Sequence, residues 1–462
     1  MNGSRPHAPE ALAGGVAVRP SGTHPGASSW AVMLLLLALM LYTIVDRPLF
    51  SLVVEPLKKE LGLTDLQVGL VQGLSVALFT AVAGYPLGWL ADRYDKRYIL
   101  AGSITVWSSC MALAGLAQNF GQLFIASALV GAGEAGLVPI AIALVPRLFR
   151  ENQRQLANSL LLMGSRLGVG VMIAACGWVL AAAEPARAWL PAALQELSGW
   201  RLSFLFMALL GLLLVPLILM LPAEAAAPRP PSPPRPQPGH SPMAAAQPAV
   251  WPHLRAHWRR FLCFYGGVGL IAFGIGCVMA FAPVVSIRQM GATQLTTGNL
   301  MGAATFTATV VGFLLAQGGT QWARRWVGER LPAVALLAAA AASACAAAAL
   351  MLASTPAALF VGVGVFLTVI MAGTLLFPTA AQDLTPAPLR ARLVSIMATT
   401  NIVLGALGPS AVGAVSDQLK GHPQGPLLAM AGCAALGLLG AIVFLLPLTR
   451  LYLPAVHAAR AA

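Results

Sequence analysis

Charged residues are scarce in this sequence. Asp, Glu, Lys and Arg make up 9% of the 462 residues, whereas 58% of the residues are hydrophobic. Soluble globular domains carry roughly 25% charged residues, so this composition excludes a soluble globular protein. Each apolar run of about 20 residues is long enough to cross a bilayer as a helix, and the runs lack the polar alternation of barrel strands. The sequence therefore predicts an all-α integral membrane protein.

Histidine and cysteine are also few. The seven histidines lie in tails, in a linker or at loop edges, so no His/Asp/Ser or metal cluster is expected within the membrane and an enzyme is disfavoured. The six cysteines all fall inside apolar runs without a CxxC pair, which indicates packing residues. No Gly-x4-Gly-Lys-Ser/Thr motif occurs, so ATP coupling is unsupported, and no cofactor is predicted.

The net charge of +13 does not indicate nucleic-acid binding, because the basic residues are scattered through the loops in twos and threes. Of the 28 Lys and Arg residues, 20 fall on one side of the predicted membrane topology and six on the other. The positive-inside rule then predicts that both termini and the linker are cytoplasmic. The short loops favour a bacterial inner membrane.

The apolar runs predict twelve spans in two groups of six. The predicted spans are 30–53, 67–91, 97–118, 122–146, 155–182 and 199–222, then 257–285, 295–322, 331–353, 356–381, 390–416 and 424–449. Between the groups, Pro222 to Pro252 contains eleven prolines, which are incompatible with a helix interior. The predicted organisation is a disordered tail (1–29), a six-helix bundle (30–222), a Pro-rich linker (223–256), a second six-helix bundle (257–449) and a tail (450–462). Two related halves around a midplane site are typical of secondary transporters.

Five sequence motifs resemble those of one transporter family. They are Asp46-Arg47, the stretch from Pro56 through Asp65 and Gln67 to Leu70, Gly88-Trp-Leu-Ala-Asp92-Arg93-Tyr-Asp95-Lys96-Arg97, Val130-Gly-Ala-Gly-Glu134-Ala, and Leu407-Gly-Pro-Ser-Ala-Val-Gly-Ala-Val-Ser-Asp417. The Gly88 motif resembles the cytoplasmic loop signature of the major facilitator superfamily, and the others are similar to its Spinster-like branch. The resemblance implies a monomeric secondary transporter with two six-helix bundles related by pseudo-two-fold symmetry. Eukaryotic Spinster-like proteins move lysophospholipids or sphingoid-base phosphates.

The sequence departs from the family pattern at three positions. Ser127 lies where the fourth helix of the family usually has arginine. Ala323 lies in the second-half loop motif at the position that Asp92 occupies in the first half. Arg166 is an extra charge in a helix that is usually neutral there. We therefore hypothesise that Arg166 replaces, electrostatically, the cation that is absent at Ser127.

Four charged residues lie well inside the predicted spans, namely Asp46, Arg47, Glu134 and Arg166. Ionisable groups in the hydrocarbon region are costly and are usually retained for a pathway or relay. Proton coupling requires a carboxylate that is neutral in one conformation and ionised in another. The hypothesis is that Asp46 and Glu134 are the proton-coupling pair, with Arg47 and Arg166 as counter-ions or head-group ligands. The alternative is a static buried ion-pair network.

The Gly88 motif predicts a latch on the cytoplasmic side, formed by Gly88, Asp92, Arg93 and Arg97. Its glycine permits close helix approach, and Asp92 can pair with an arginine or a helix N-terminus of the other bundle. The alternative is that the charges of the loop only set topology. Glycine clusters at 131–133, 164–170, 266–269, 274–276 and 405–408 indicate closely packed membrane helices.

Candidate cavity-lining residues outside the charged set are Tyr42, Tyr265, Phe273, Thr305, Thr374 and Asn401. A charged first half facing a mostly uncharged second half favours an amphipathic substrate, and the arginines favour an anionic head group. The predicted function is a proton-coupled transporter of an amphipathic or lipid-like organic anion. Alternatives are a broad drug or metabolite:proton antiporter, a uniporter, and a membrane sensor that binds without transport. The expected partners are the substrate, protons and the lipid bilayer.

Overall fold

The computed structural model of the chain describes residues 27–137, 140–141, 144–145, 149, 151–221, 250–386 and 389–461. Most of the predicted N-terminal tail and of the Pro-rich linker therefore lies outside the described residues. The structural statements below concern the described part of the chain.

In the described residues of the first half, nine α-helices have defined bounds. They are α1 (Ala27–Tyr42), α2 (Asp46–Leu61), α3 (Asp65–Leu70), α4 (Val76–Arg93), α5 (Lys96–Leu116), α6 (Phe120–Glu134), α7 (Glu151–Ala186), α8 (Ala192–Gln195) and α9 (Gly199–Leu219). A π-helical segment, Val71–Ser75, joins α3 to α4 without a break. The second half contains α10 (Val250–Ala256), α11 (Trp258–Arg288), α12 (Gln294–Val327), α13 (Leu331–Ala349), α14 (Pro356–Thr374), α15 (Phe377–Leu384), α16 (Arg390–Gln418) and α17 (Gly425–Ala461).

These helices account for twelve membrane crossings. In the described residues, ten stretches are long and apolar enough to span a bilayer, and one of them, Gln294–Leu352, contains both α12 and α13. The shorter apolar helix α6 supplies a further crossing. The prediction of an all-α protein with twelve spans is confirmed.

The first crossing differs from its prediction as one continuous helix. It breaks at 43–45, where Ile44 and Val45 donate to the carbonyl oxygens three residues earlier instead of four. The break places Pro48 in the first turn of α2. Backbone N–H groups in a first turn make no intrahelical hydrogen bond, so a proline there costs the helix none. Asp46 consequently begins a helix, and a carboxylate there interacts favourably with the helix dipole.

The predicted linker also contains a helix. Residues 250–256 form α10, so the prediction that Pro222 to Pro252 is non-helical is wrong for its last three residues, 250–252. Pro252 lies in the first turn of α10, a position at which proline is tolerated.

Glycines allow the two halves to approach closely. A Cβ built on Gly69 or Gly73 would lie 2.2 Å or 2.0 Å from the carbonyl oxygen of Pro409 or Ala406, respectively, in α16. The backbones of α7 and α12 approach similarly, at Gly170 and Gly302. Gly170 belongs to the predicted cluster at 164–170, so the interpretation of that cluster as a site of close helix packing is confirmed at this contact.

Candidate functional site

A central cavity of about 530 Å³ lies between the two halves. Its lining comes mainly from α2, the π-helix and α4 on one side, and from α11 and α16 on the other. Most lining side chains are apolar; the polar and charged ones are Asp46, Arg47, Ser51, Gln72, Thr80, Glu134 and Asn401. An apolar cavity with a few convergent polar groups is the usual form of a small-molecule site.

Asp46 and Glu134 both line this cavity. Asp46 is only 7% exposed, and its Oδ1 atom is buried without a hydrogen-bond partner among the described residues. Glu134 is the last residue of α6, where the carbonyl end of the helix dipole disfavours a negative charge. The structure therefore brings the two predicted proton-coupling acids into one cavity.

Arg47 provides the cation beside these acids. Its guanidinium nitrogen lies 3.7 Å from Glu134 Oε2, an ion pair without a hydrogen bond. The Arg47 side chain is 58% exposed because it faces the cavity, so it can also reach a bound ligand. Asp46, adjacent in sequence, lines the same cavity but is buried, so the two neighbours differ in exposure.

Ser127 lies next to a second, much smaller cavity of about 20 Å³, which Asp46 and Arg47 also line. Ser127 itself is buried. The position at which the family usually has arginine therefore lies close to Arg47 in space.

Arg166 is not brought into the cavity. Its side chain is exposed on α7 and does not line the central cavity in this conformation. The physical reason is helix periodicity, because Gly164 and Gly168 pack against Leu37 and Leu41 of α1, and a residue two positions away points about 200° around the helix. The geometry therefore does not support Arg166 as the counter-ion of Asp46 or Glu134.

Of the six other predicted lining residues, Asn401 lines the central cavity. Tyr42 is buried against Trp107, and its hydroxyl donates to the carbonyl oxygen of Met207. Tyr265 donates to Leu393 O at 2.9 Å.

Phe273 contacts Gly437 on α17. Thr305 and Thr374 donate to carbonyl oxygens four residues earlier in their own helices, at 2.8 and 2.7 Å. These five side chains, Tyr42, Tyr265, Phe273, Thr305 and Thr374, contribute to helix packing and do not line the cavity in this conformation.

Sequence reasoning missed Gln72 and Ser51, which form an ordered pair in the cavity wall. Gln72 Nε2 donates to Ser51 Oγ at 3.1 Å, and Ser51 Oγ donates to the Arg47 carbonyl oxygen at 3.0 Å. These two hydrogen bonds orient the amide of Gln72, whose Oε1 atom accepts no hydrogen bond from the described residues. Gln72 lies in the π-helix, and such segments are frequent at functional sites. A lone glutamine in an apolar run gave no comparable signal in the sequence.

The two halves are also joined at one end of the molecule by a network that we call the clamp, formed by Glu55, Lys58, Asp65, Arg288, Ser416 and Asp417. Asp65 is 2% exposed and lies at its centre. Arg288 of the second half donates to both carboxylate oxygens of Asp65, at 2.8 and 2.9 Å, and to Glu55 at 2.6 Å.

Asp65 has two further partners in the clamp. Lys58 Nζ lies 2.5 Å from Asp65 Oδ1, and Ser416 Oγ donates to Oδ2 at 2.7 Å. Breaking a buried ion pair by removing one partner costs about 3–5 kcal/mol, so these contacts hold this end of the molecule closed.

The N-terminus of α3 completes the clamp. The backbone N–H groups of Asp65 and Leu66 donate to the Asp417 carboxylate at 3.1 and 2.8 Å. The sequence stretch before α3 explains this placement, because Gly62 adopts a left-handed conformation that ends α2, and Thr64 and Gln67 form a capping box. An acid from α16 thus binds the positive end of α3.

The described residues of the predicted latch make local contacts at the opposite end of the molecule. Arg93 stacks on Trp89 at 3.9 Å, and Arg97 forms an ion pair with Asp95 at 2.9 Å. The surroundings of the Gly88 and Asp92 side-chain positions lie outside the described part of the chain. The latch remains a prediction.

The chain is similar to known membrane transporters over most of its length. It is 27% identical over 444 residues to an MFS-type efflux pump of Mycolicibacterium smegmatis, covering 92% of this chain and 94% of the pump. It is 23% identical over 407 residues to the mouse (Mus musculus) sphingosine-1-phosphate transporter SPNS2, covering 81% and 68% of the two chains.

The fold matches that of a solved bacterial homologue of the lysosomal transporter Spinster, captured in an inward-facing, unoccupied conformation. The TM-score is 0.73 at 22% identity, covering 95% of this chain and 99% of the homologue. The family model of the Major Facilitator Superfamily matches residues 32–409. The chain, with Spinster homologues among its relatives, therefore belongs to the major facilitator superfamily and is a membrane transporter, not an enzyme.

Proposed function

We propose that the chain is a proton-coupled secondary transporter that moves an amphipathic organic anion by alternating access. The observation that carries this proposal is the placement of Asp46, Arg47 and Glu134 in the wall of one largely apolar cavity between the halves. An apolar cavity suits the hydrocarbon part of a substrate, and the exposed Arg47 guanidinium suits an anionic head group.

The acids supply the coupling step. Asp46 is buried and Glu134 lies at a helix C-terminus, so protonation of either removes an unfavourable buried charge. Protonation of Glu134 also releases Arg47 from the 3.7 Å ion pair, which frees its guanidinium for the substrate. Proton binding and substrate binding are thereby linked through one arginine.

Arg47 also fills the electrostatic role that the family assigns to the helix position of Ser127. Both residues border the same small cavity, whereas Arg166 is exposed on α7. This proposal replaces the hypothesis that Arg166 is the substitute cation.

The clamp and the loop at the opposite end define the two gates. The clamp closes one end of the central cavity, and the Gly88 motif, as a latch, closes the other after the halves rock. We propose that the clamp faces away from the cytoplasm in a bacterial inner membrane, because its side carries few basic residues and both termini lie on the opposite side.

Substitution of the acids tests proton coupling. In proteoliposomes with an imposed pH gradient, Asp46→Asn and Glu134→Gln should each lower gradient-driven uptake of a lysophospholipid by about tenfold. This factor is typical of the coupling free energy between two binding sites, here those for the proton and the substrate. Exchange of substrate without a gradient should persist, because these variants mimic the protonated acids.

Glu184→Gln serves as the matched control, since Glu184 is an exposed carboxylate outside the central cavity and should not alter uptake. Gradient-driven uptake at the unsubstituted rate in both cavity variants would refute proton coupling through these acids. A parallel assay with a hydrophilic organic acid tests the amphipathic preference.

A second candidate, drug or metabolite efflux by proton antiport, is favoured by the similarity to the mycobacterial efflux pump over 92% of this chain. It predicts proton release on binding of several unrelated amphipathic compounds. Uptake restricted to one head-group class would favour the first candidate.

A further inference from the structure

The central cavity contains more hydrogen-bond acceptors than the described residues satisfy. Four lining side chains each carry a buried oxygen that accepts no hydrogen bond from any described residue: Asp46 Oδ1, Gln72 Oε1, Glu134 Oε2 and Asn401 Oδ1. We call these four residues the acceptor cluster. Buried polar groups are normally paired, so each such oxygen needs a donor that the described part of the protein does not supply.

The geometry restricts what that donor can be. Asp46 is 93% buried, and the hydrogen bond to Ser51 holds the Gln72 side chain in the cavity wall. Neither side chain therefore extends into bulk solvent. Arg47 lies 3.7 Å from Glu134, too far for a hydrogen bond, and its side chain faces the cavity. Two acids against one arginine also leave the site with an excess of negative charge when both are ionised.

A ligand can reach these oxygens by small rotations. The terminal torsion angle of Asp, Asn, Glu and Gln side chains has a broad distribution, so small rotations of the carboxylate or amide cost little. Gln72, Glu134 and Asn401 are also each partly exposed. The cluster contains residues of both halves, since Asn401 lies on α16 and the others lie in the first half. A ligand that binds Asn401 together with any of the other three therefore bridges the halves.

We propose that the acceptor cluster is a subsite for a protonated primary amine of the substrate, and that it discriminates against quaternary ammonium groups. A primary ammonium has three N–H donors for oxygens that have none, whereas a quaternary ammonium offers positive charge but no donor. On a zwitterionic amphiphile, the ammonium binds the acceptor cluster and the anionic group binds Arg47. Gln72 and Asn401 are the specificity-determining residues, because their neutral oxygens contribute by hydrogen bonding rather than by charge.

This inference rests on the proposed transport function, so binding and transport are measured separately. Equilibrium binding to the full chain in nanodiscs is compared for two matched pairs of ligands. The first pair is a myristoyl lysophosphatidylethanolamine and the corresponding lysophosphatidylcholine, and the second is dodecylamine and dodecyltrimethylammonium. Each primary amine should bind about a hundredfold more tightly than its quaternary partner, the effect of two hydrogen bonds from a charged donor, one to Gln72 and one to Asn401.

The variants Asn401→Leu and Gln72→Met locate the preference. Each should lower the preference within a pair to about tenfold by weakening only the primary amine, because each variant removes one of the two hydrogen bonds and leaves the other. Gln317→Leu, an exposed amide on α12 outside the central cavity, is the matched control and should keep the full preference.

Equal binding of both members in the unsubstituted protein overturns the amine subsite, as does the absence of binding by either primary amine. Equal weakening of both ligands in the variants also overturns it, because that pattern indicates a general structural role. Gradient-driven uptake distinguishes these results from failure of the proposed function. Normal uptake with no amine preference refutes only the subsite, whereas amine-selective binding without any uptake refutes transport.

Discussion

At the residue scale, the decisive feature is which charges share the cavity. The sequence predicts four charges inside the membrane, and three of them, Asp46, Arg47 and Glu134, lie in one cavity wall. Arg166 does not join them, since the glycines two positions on either side of it pack inward against α1. That orientation was accessible from sequence, because the same glycines were already predicted to be packing residues.

The different positions of the two arginines predict different effects on transport. Arg47→Gln should lower substrate uptake by about tenfold or more, because it leaves Glu134, whose Oε2 atom is buried, without its counter-ion. Arg166→Gln should change uptake by less than about twofold, as expected for a surface substitution away from the site. Initial uptake rates in proteoliposomes, normalised to the amount of reconstituted protein, provide the measurement.

The paired substitution also contains its own control, because both remove one positive charge from the same half. A large loss with Arg166→Gln and a normal rate with Arg47→Gln would reverse the assignment and restore Arg166 as the counter-ion.

At the element scale, the contact between α3 and α16 determines how tightly the clamped end closes. Gly69 has no room for a methyl group, since a Cβ there would lie 2.2 Å from the Pro409 carbonyl oxygen and 2.8 Å from Ser410 Cα. Gly84, further along the same membrane crossing, has nothing within 4 Å of its ideal Cβ. The two positions therefore form a matched pair for alanine substitution.

Gly69→Ala should force the clamped end apart. Overpacking of this kind costs about 1–3 kcal/mol, enough to favour the opposite conformation by about fivefold or more. With the six native cysteines replaced and Met279→Cys as a cavity reporter, a membrane-impermeant thiol reagent applied from the clamp side should react correspondingly faster.

Gly84→Ala should leave the labelling rate unchanged, because the added methyl group meets no neighbour. If Gly69→Ala labels at the same rate as the control, then α3 and α16 do not separate when this end opens.

Helix boundaries were less predictable than helix number. The hydropathy of 30–53 continues through the break at 43–45, so an apolar pattern could not show it. Pro48 gave the relevant signal, because a proline fits the start of a helix and not its interior. The helix α10 was missed because proline content was read for the whole linker rather than by position within a turn.

At the scale of the whole molecule, the fold was predictable because each membrane crossing is a local apolar pattern. The clamp was not, since it joins residues as far apart in sequence as Asp65 and Ser416, which are separated by 351 positions. Lys58 and Arg288 are two of the six basic residues on the sparsely charged side of the predicted topology, and that count gave no sign that both bind Asp65. One clue was available, because Asp65 and Asp417 both belong to motifs that resemble the Spinster-like branch.

The contacts between the halves predict that the covalent connection is dispensable for assembly. A protease site inserted at residue 235, within the predicted linker, should allow complete cleavage while residues up to 221 and from 250 co-purify as a complex. The clamp and the glycine contacts of α7 with α12 hold the two halves together in that experiment. Affinity purification through a tag on one half, followed by gel analysis, measures the association.

Cleavage only from the cytoplasmic side would also support the proposed orientation. Cleavage from the outside of intact cells would reverse it. Dissociation of the halves in mild detergent would contradict the predicted strength of the contacts between them.

The break before Asp46 has a mechanical consequence. Helix α2 is 16 residues long and carries Asp46 and Arg47 at one end and Glu55 and Lys58 toward the other. Glu55 lies nine positions after Asp46, so the helix spans about 14 Å between them. At the Asp46 end, the turn at 43–45 separates α2 from α1, so that α2 can act as a lever. If Asp46 and Glu134 couple protons as proposed, we expect a change of charge at the cavity to tilt α2 and to displace Glu55, so that the clamp responds to proton binding.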